Sequence, residues 1–397
     1  MKQQLLHTPE GVRDIYNGEC ERKLVLQENL YNTLKKYGYH SIETPTFEFF
    51  DIFGKEIGTI PSKELYKFFD REGNTLVLRP DITPSIARCA VKYFGDENMP
   101  IRLCYMGNTF INNNSYQGRL KENTQLGAEL IGADSVDADA EIIAMTVDCL
   151  LTSGLKEFQL GIGHAAFLQG LMETAGLDEE TEQELKDLIS NKNFFGVEEL
   201  ISRLSMEENL KELFSMLGTF FNSFEDLAKI KELAASYDKI RTSVERLEQL
   251  DKVLKLYGID KYVSYELSVI SPYHYYTGII FSGYTFGSGE PIVKGGRYDN
   301  LLTQFGKQSA AIGFVVVVDQ LLAALSRQKL TVELKNDTLL LVYDERNKKQ
   351  AIEMAIKERK AGNFVELLLH EEEKTKQDYE DYAKRNRRDK ITYMIGE

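Results

Sequence analysis

A long stretch that favours only helices separates two strand-rich parts of the chain. From 178 to 256 the sequence lacks proline, is dominated by Glu, Lys and Leu, and repeats apolar residues three and four apart. This pattern predicts an all-helical insert. Strand-forming residues precede the insert and return with many glycines at 262–302. We therefore predict one sheet that resumes after the insert.

Local patterns predict several of the flanking elements. Residues 20–38 have the apolar spacing of an amphipathic helix, which ends at a glycine. The sequence LYKFFDREGNTLVLRPD predicts a hairpin that turns at Gly73 and Asn74, with its strands in a largely antiparallel sheet. The apolar run 310–325 predicts a central strand that leads into a helix.

The segment 124–132 alternates between apolar and polar residues. In a strand this places its apolar residues on one face and Gln125 and Glu129 together on the other. The backbones of these two residues are then separated by roughly 13 Å along one face. Two long polar side chains are thus predicted to point in the same direction.

The chain is long enough for more than one domain. We predict a main domain over 1–325 that contains the insert, a polar linker over 326–337, and a small α/β domain over 338–397. The 397 residues include 43% hydrophobic and 28% charged side chains, which is typical of a globular protein.

Charge and cysteine usage exclude several classes of function. The 48 basic and 62 acidic residues give a net charge of −14, which disfavours broad nucleic-acid binding. Neither a signal peptide nor a long apolar run is present, so we expect a cytoplasmic protein. The four cysteines and five histidines are scattered without ligand spacing, and we predict neither a metal site nor a cofactor.

The common motifs for nucleotide binding and hydrolysis are missing. The sequence has no G-x-x-x-x-G-K-[ST], no nucleotide-binding G-x-G-x-x-G between a strand and a helix, no G-x-S-x-G and no H-E-x-x-H. The glycines of GSGEPIVKGGRYD are more typical of turns and bulges than of a phosphate loop.

Seven blocks of sequence instead resemble, in order, the signature blocks of histidyl-tRNA synthetase. The resemblance covers residues 8 to about 325 and implies an α+β fold of the class II aminoacyl-tRNA synthetase type, an antiparallel sheet flanked by helices. It also implies a dimer that forms through the region around Pro45. The blocks are TPEGVRD (8–14), GYHSIETPTFE (38–48), LVLRPDITPSIAR (76–88), QGRLKENTQLGAELIG (117–132), YYTGIIF (275–281), KGGRYDNLL (294–302) and IGF (312–314).

Three arginines of the synthetase pattern are absent. The resemblance places Ile111, Ser271 and Gln320 where the enzymes carry arginine. Adenylation requires such fixed positive charges because ATP and the mixed anhydride present several negative oxygens. Loss of one preorganised charge typically costs about a hundredfold in rate. We therefore predict that this chain does not adenylate an amino acid and has no catalytic residues.

The amino-acid pocket of the family is retained. Histidine suits these groups, because carboxylates and an amide can hold its ammonium and ring N–H groups while tyrosines line the ring. The alternative is that the polar groups merely satisfy one another inside a decayed active site, and we favour retained ligand binding. By the resemblance, the histidine-binding residues are Asp81 (glutamate in the enzymes), Thr83, Gln125, Glu129, Tyr275, Tyr276 and Tyr298.

A synthetase-like body without adenylation machinery resembles the regulatory subunits of ATP phosphoribosyltransferase. That resemblance implies a non-catalytic subunit that activates a short catalytic subunit in a hetero-octamer. The complex would be a glycosyltransferase that condenses ATP with phosphoribosyl pyrophosphate, the first step of histidine biosynthesis. Histidine would act as the allosteric feedback inhibitor. The implied partners are the short catalytic subunit, a second copy of the chain and histidine, with neither membrane nor tRNA.

Three alternatives remain at this point. The first is an active histidyl-tRNA synthetase with a divergent active site. The second is an RNA-binding module on the same fold, although the sequence shows no basic cluster. The third is a synthetase-like enzyme for another amino acid. The neighbouring His274 is more typical of a packed or hydrogen-bonded histidine than of a catalytic one.

Overall fold

A computed structural model describes residues 6–54, 60–113, 120–269, 275–334 and 338–396. The chain forms two compact units, Met1–Val332 and Glu333–Glu397. The boundary lies within the segment that the sequence suggested as a linker, although the last helix of the first unit continues to Arg327.

Strands and helices alternate irregularly in the first unit. Its strands are β1 (His40–Ser41), β2 (Phe47–Phe49), β3 (Lys67–Phe69), β4 (Thr75–Leu78), β5 (Ile101–Phe110), β6 (Glu122–Ile131), β7 (Phe158–His164), β8 (Phe220–Phe221), β9 (Val263–Glu266), β10 (Ile279–Thr285), β11 (Val293–Arg297) and β12 (Ala311–Val317). Its α-helices are α1 (Asn17–Lys36), α2 (Thr83–Phe94), α3 (Val136–Thr152), α4 (Ala165–Ala175), α5 (Glu179–Ser190), α6 (Phe194–Arg203), α7 (Glu208–Ser215), α8 (Ala228–Leu233), α9 (Asp238–Tyr257) and α10 (Val318–Arg327).

Nine strands form the main sheet in the order β1-β5-β6-β12-β11-β10-β7-β9-β8. Neighbours are antiparallel except for the pairs β1/β5 and β7/β9. Strands β10 to β12 follow the helical segment in sequence but lie between β6 and β7 in the sheet. The predicted antiparallel sheet that resumes after the insert is therefore confirmed.

The predicted hairpin is present but belongs to a different sheet. Strands β3 and β4 pair antiparallel around Gly73, which has a φ of 86°. With β2 they form a separate three-stranded sheet, so their assignment to the main sheet was wrong. This small sheet has a hydrophobic core of its own around Phe53, Leu65 and Val77.

The helical segment contains one short strand. Helices α5 to α9 occupy most of 178–256, but β8 pairs antiparallel with β9 at the edge of the main sheet. Phe221 is buried there opposite Tyr265. Two residues are too short to produce a strand pattern in the sequence, because they complete no alternation.

The two faces of the main sheet pack differently. Leu126, Ala128 and Leu130 of β6 belong to the large core shared with α1, α3 and α9. Gln125 and Glu129 lie on the opposite face, as predicted. There Leu103 packs with the apolar side of α2 in a second, smaller core. The functional cavity lies on this second face.

The second unit is a small α/β fold. Its strands β13 (Thr338–Tyr343), β14 (Phe364–Leu369) and β15 (Lys390–Met394) form a parallel sheet in the order β14-β13-β15. Helix α11 (Lys348–Lys360) links the first two strands, and α12 (Lys376–Arg385) links the last two. The sequence analysis missed α12, although parallel strands require a crossover connection.

Candidate functional site

All seven residues predicted to bind a ligand line one cavity. They come from the start of α2, from β6 and from two segments flanking β10 and β11. The space inside the cavity is about 20 Å³, far below the roughly 300–1,000 Å³ of most small-molecule sites, so a ligand of amino-acid size requires the lining side chains to move apart. The other lining residues are Lys294, Gly296, Gly313, Phe314 and Val315.

Glycines form the floor of the cavity where the carboxylate of Glu129 lies. In the sheet Glu129 pairs with Gly313, and Gly313 pairs with Gly296. A Cβ added to Gly313 would lie 1.6 Å from Oε2 of Glu129, and one added to Gly296 would lie 2.7 Å from the Tyr276 ring. Only glycine leaves room for these two side chains above the sheet.

Glu129 is buried among hydroxyl groups. Its side chain accepts hydrogen bonds from Tyr298 Oη at 2.6 Å, Thr83 Oγ1 at 2.9 Å and Tyr105 Oη at 3.4 Å. Only 1% of its surface is exposed, and burial raises its pKa to about 8. Because hydroxyls carry no charge, they stabilise the carboxylate without neutralising it.

Asp81 supplies a second buried carboxyl at the entrance to α2. It accepts a hydrogen bond from Tyr275 Oη at 3.1 Å and one from the Thr83 amide at 3.3 Å. Burial raises its pKa, while these hydrogen bonds and the charge of Lys294 oppose the rise. Arg79 donates to the carbonyls of Thr44 and Asn108, both at 2.8 Å, and so fixes the backbone that leads to Asp81.

Three tyrosines form an aromatic wall beside these carboxyls. The ring centroids of Tyr275 and Tyr276 are 4.9 Å apart, and those of Tyr275 and Tyr298 are 5.9 Å apart in an edge-to-face arrangement. Such a wall can contact a planar ring.

Gln125 carries a buried acceptor without a partner. Its Oε1 is inaccessible to solvent and accepts no hydrogen bond from any residue that the structure describes. An unpaired buried amide oxygen is unfavourable by about 1–3 kcal/mol. A bound N–H donor would satisfy it.

The sequence analysis missed two residues that contribute to the cavity. Tyr105 faces it from β5 through its bond to Glu129, and Lys294 faces it from β11. The alternation of β11 gives a signal for Lys294, which lies two residues before Gly296 and on the same face. Tyr105 could not be found this way, because apolar and aromatic residues occupy both faces of β5.

Two of the three positions that lack the family's arginine can be described. Ile111 directly follows β5, and its amide donates to the Lys121 carbonyl at 2.9 Å. Gln320 lies in the first turn of α10 beside Asp319. Asp319 accepts hydrogen bonds from the Lys23 ammonium at 2.6 Å and the Thr124 amide at 2.7 Å.

Ser271 and the neighbouring His274 lie outside the described residues. The two described positions contribute no positive charge, and Asp319 has a structural role between α1 and β6. The cavity as described has acceptors for a positively charged ligand with an aromatic ring.

No group of three or more His, Cys, Asp or Glu within the described ranges has the arrangement of a metal site. A search of the same residues for a helix long and apolar enough to cross a bilayer found none. All four cysteines are free thiols, and Cys89, Cys104 and Cys149 are buried.

Comparison with known proteins identifies the relatives of this chain. A family model described as histidyl-tRNA synthetase matches residues 11–321. The ATP phosphoribosyltransferase regulatory subunit of Acetivibrio thermocellus is 39% identical over 370 residues, which is 93% of this chain and 88% of the relative. The protein of the same name from Clostridium kluyveri is 35% identical over 375 residues, 94% of this chain and 96% of the relative.

Solved structures confirm the predicted fold. One described as an ATP phosphoribosyltransferase regulatory subunit/histidyl-tRNA synthetase from Bacillus halodurans C has a TM-score of 0.85 at 31% identity and covers 99% of both chains. Histidyl-tRNA synthetase from Nostoc sp. PCC 7120 has a TM-score of 0.81 at 18% identity, covering 98% of this chain and 92% of its own. The second likeness concerns the fold alone.

The relatives with high identity are named as a regulatory subunit, which supports a regulatory role without catalysis of its own. The match to the synthetase model accounts for the shared fold. The chain belongs to the family of ATP phosphoribosyltransferase regulatory subunits, which are paralogues of histidyl-tRNA synthetase.

Proposed function

We propose that this chain senses histidine for ATP phosphoribosyltransferase, activating a short catalytic subunit and mediating feedback inhibition by histidine. The observation that carries the proposal is the single cavity lined by all seven residues that the synthetase resemblance assigned to histidine. A decayed site would not need to keep an amide oxygen buried without a partner.

Free histidine complements the cavity in charge and hydrogen-bonding groups. In our proposal Glu129 accepts a hydrogen bond from the imidazole ring, because it lies deepest in the cavity, among tyrosines. Asp81 and the unpaired oxygen of Gln125 hold the ammonium group. These contacts use the buried acceptors of the cavity: among the described residues, Glu129 accepts from hydroxyl groups and Gln125 Oε1 has no donor.

Binding without activation follows from the missing arginines. Ile111 and Gln320 cannot neutralise the triphosphate of ATP, and we assign Ser271 the same role from the sequence resemblance alone. Each missing charge is expected to lower an adenylation rate about a hundredfold. The chain thus binds the amino acid but does not activate it.

Regulation requires that histidine bind two states of the complex with different affinity. We expect a coupling free energy of about 1–3 kcal/mol. Because coupling is reciprocal, ligands that stabilise the active state of the catalytic subunit should weaken histidine binding. We propose a hetero-octamer as the assembly and the cytoplasm as its location, since the relatives are subunits of a biosynthetic enzyme.

Calorimetry tests the proposal directly. The purified chain is titrated with histidine, alone and with a short phosphoribosyltransferase subunit, and the titrations are repeated with Glu129→Ala. We expect binding to the wild type and a loss of at least about tenfold in the variant. Glu208→Ala is a matched control, because that side chain is 87% exposed. Equal binding by wild type and Glu129→Ala would show that the ligand binds elsewhere.

The alternative of an active synthetase predicts a different result. Histidine-dependent exchange between ATP and pyrophosphate should be undetectable for this chain on its own. Detection of exchange, or of histidyl-adenylate, would refute a purely regulatory role. RNA affinity that falls steeply with salt would favour the RNA-binding alternative.

The small sheet supports self-association. Phe47 and Phe49 of β2 share one face with Phe68 of β3, and they are 51%, 55% and 36% exposed. These aromatic residues begin two positions after Pro45, where the family resemblance implies the dimer contact. We propose that a second copy covers this face. Phe49→Arg should convert the dimer to a monomer in sedimentation experiments, and a stable dimer in that variant would refute this contact.

A further inference from the structure

The cavity contains one positively charged residue to which neither the sequence analysis nor the relatives' names assign a role. Lys294 lines it from β11, in the same stretch of the chain as Gly296 and Tyr298. The remaining ionisable residues that line the cavity are two carboxylates and three tyrosines. Among the described lining residues, Lys294 is therefore the sole cation.

The strand register places Lys294 between the two polar residues of β6. Lys294 pairs with Val315 of β12, and Val315 pairs with Gly127 of β6. Gly127 lies midway between Gln125 and Glu129. Two strand spacings and an offset of two residues separate the Cα atom of Lys294 from each of them by about 12 Å. The three side chains start from the corners of a triangle on one face.

Two residues of β12, Gly313 and Val315, lie between Lys294 and the polar residues of β6. Gly313 adds no side chain, and the carboxylate of Glu129 lies in the space above it. The charge of Lys294 is close enough to Asp81 to oppose the rise that burial causes in the pKa of that carboxyl. The charge of Lys294 thus acts on the acidic side of the cavity.

A free amino acid also carries an α-carboxylate, which needs a positively charged or hydrogen-bonding partner in this site. Carboxylates and an amide oxygen can hold its ammonium and ring N–H groups, but they repel its α-carboxylate. A buried negative charge requires a cationic or hydrogen-bonding partner. The synthetase pattern has an arginine just before YYTG, but the corresponding residue here is Ser271, which carries no charge.

We propose that Lys294 binds the α-carboxylate of the ligand and makes the cavity specific for a free amino acid over the corresponding amine or ester. This inference rests on the proposed histidine site and adds the group that recognises the acid. Lys294 would then take over from a different strand the neutralisation that an arginine provides in the enzymes.

A comparison of ligands on the wild-type chain is the first test. Calorimetry should show tighter binding of L-histidine than of histamine or L-histidine methyl ester, by about ten- to a hundredfold, because a charged hydrogen bond is involved. Equal affinity for histidine and its methyl ester would overturn the proposal without any variant. Absence of binding by all three would instead refute the histidine site itself.

A variant cycle then assigns the effect to Lys294. Lys294→Met should weaken histidine binding about ten- to a hundredfold and histamine binding by less than about threefold, so that the preference disappears. Lys294→Arg should retain the preference, because it keeps the charge. Lys252→Met is a matched control, since that lysine side chain is 68% exposed on α9.

Two results of the cycle would contradict the assignment while leaving the histidine site intact. An equal loss for histidine and histamine in Lys294→Met would indicate a structural role for the lysine. An unchanged preference in that variant would place the carboxylate on another group. Circular dichroism of each variant checks that the fold is maintained, and Lys294→Arg tests the proposal if the methionine variant fails to fold.

Discussion

Two carboxylates of the first unit are buried to the same degree and yet have opposite surroundings. Asp139 on α3 is fully buried and faces Arg297, which donates to it at 2.6 and 2.9 Å. Arg246 lies on its other side at 2.7 Å. Glu129 on β6 is 1% exposed, and its hydrogen-bond donors among the described residues are all hydroxyl groups.

This difference indicates that Asp139 has a structural role, whereas we propose that Glu129 binds a ligand. Guanidinium groups are permanently charged, so Asp139 is compensated in the folded chain alone. Burial raises the pKa of both carboxyls, but two arginines oppose the rise at Asp139, whereas hydroxyl groups oppose it at Glu129, whose pKa reaches about 8. A buried acid without a cation is unfavourable in the free protein, and a cationic ligand removes that disadvantage.

The largest expected effect concerns the compensated carboxylate. Asp139→Ala should lower the free energy of unfolding by about 3–5 kcal/mol, because it leaves a buried arginine without its partner. Urea denaturation measures this change. Asp134→Ala is the control within the same network, because Asp134 is 70% exposed. It should change the free energy by about 1 kcal/mol or less, and similar losses in the two variants would contradict the structural role of Asp139.

Glu129→Gln should separate binding from stability. The amide keeps the shape of the side chain but cannot become charged when a cationic ligand binds, so histidine affinity should fall about ten- to a hundredfold in calorimetry. At about pH 4, where the Glu129 carboxyl is protonated in the folded chain, the free energy of unfolding should change by about 1 kcal/mol or less, because the amide replaces another neutral group. If Glu129→Gln destabilised the fold as strongly as Asp139→Ala, the distinction between the two carboxylates would be lost.

Gly313→Ala tests the space reserved for Glu129. The new methyl group would overlap Oε2 and displace the carboxylate from Tyr298. Overpacking of this kind typically costs about 1–3 kcal/mol, which we expect in both unfolding and histidine titrations. Gly289→Ala is the control, because its added Cβ would meet no atom within 4 Å. A neutral effect of Gly313→Ala would mean that the cavity floor is more adaptable than the register indicates.

The pH dependence of stability gives the test that is most specific to Glu129. Burial raises the pKa of this carboxyl to about 8, against an ordinary value of 4.5 in the unfolded chain. Between these values the folded state binds more protons than the unfolded state. The stabilising contribution is therefore complete below the unfolded pKa and disappears as the pH rises through about 8.

Denaturation of the wild type and Glu129→Gln at several pH values measures this contribution. The difference in free energy of unfolding, wild type minus variant, should decrease by at most about 1.4 kcal/mol per pH unit within this window. A difference that stays constant from pH 5 to pH 8 would mean that Glu129 is ionised in the free protein.

The sequence predicted the elements whose patterns are long. The α1 helix was expected from residue 20 and begins at Asn17, and it ends at Lys36, before Gly38 with a φ of 82°. The sequence also predicted that a strand leads directly into a helix here, as β12 leads into α10. The strand β8 was not predicted, because it pairs only two residues. The separation of the small sheet from the main sheet was not predicted either, because it depends on a hydrophobic core of its own.

The candidate site was predicted by family resemblance and by alternation, which placed Gln125 and Glu129 on one face of β6. Periodicity alone could not show that Tyr298 meets Glu129 at 2.6 Å, since 169 positions separate them in the chain. Alternation places Lys294 on the same face as Gly296 but could not show that it lines a cavity, because lysine on a strand usually faces solvent.

The sequence alone determined the alternating strands, the helical insert, the acceptors of the cavity and the absence of the family's arginines. The strands and the insert follow from local periodicity, whereas the acceptors and the missing arginines follow from the resemblance to the synthetase family. The tertiary structure decided which buried charge is compensated and which is left for a ligand. That outcome depends on strand order and register across β6, β12 and β11, which bring residues from distant segments to within a few ångströms of each other.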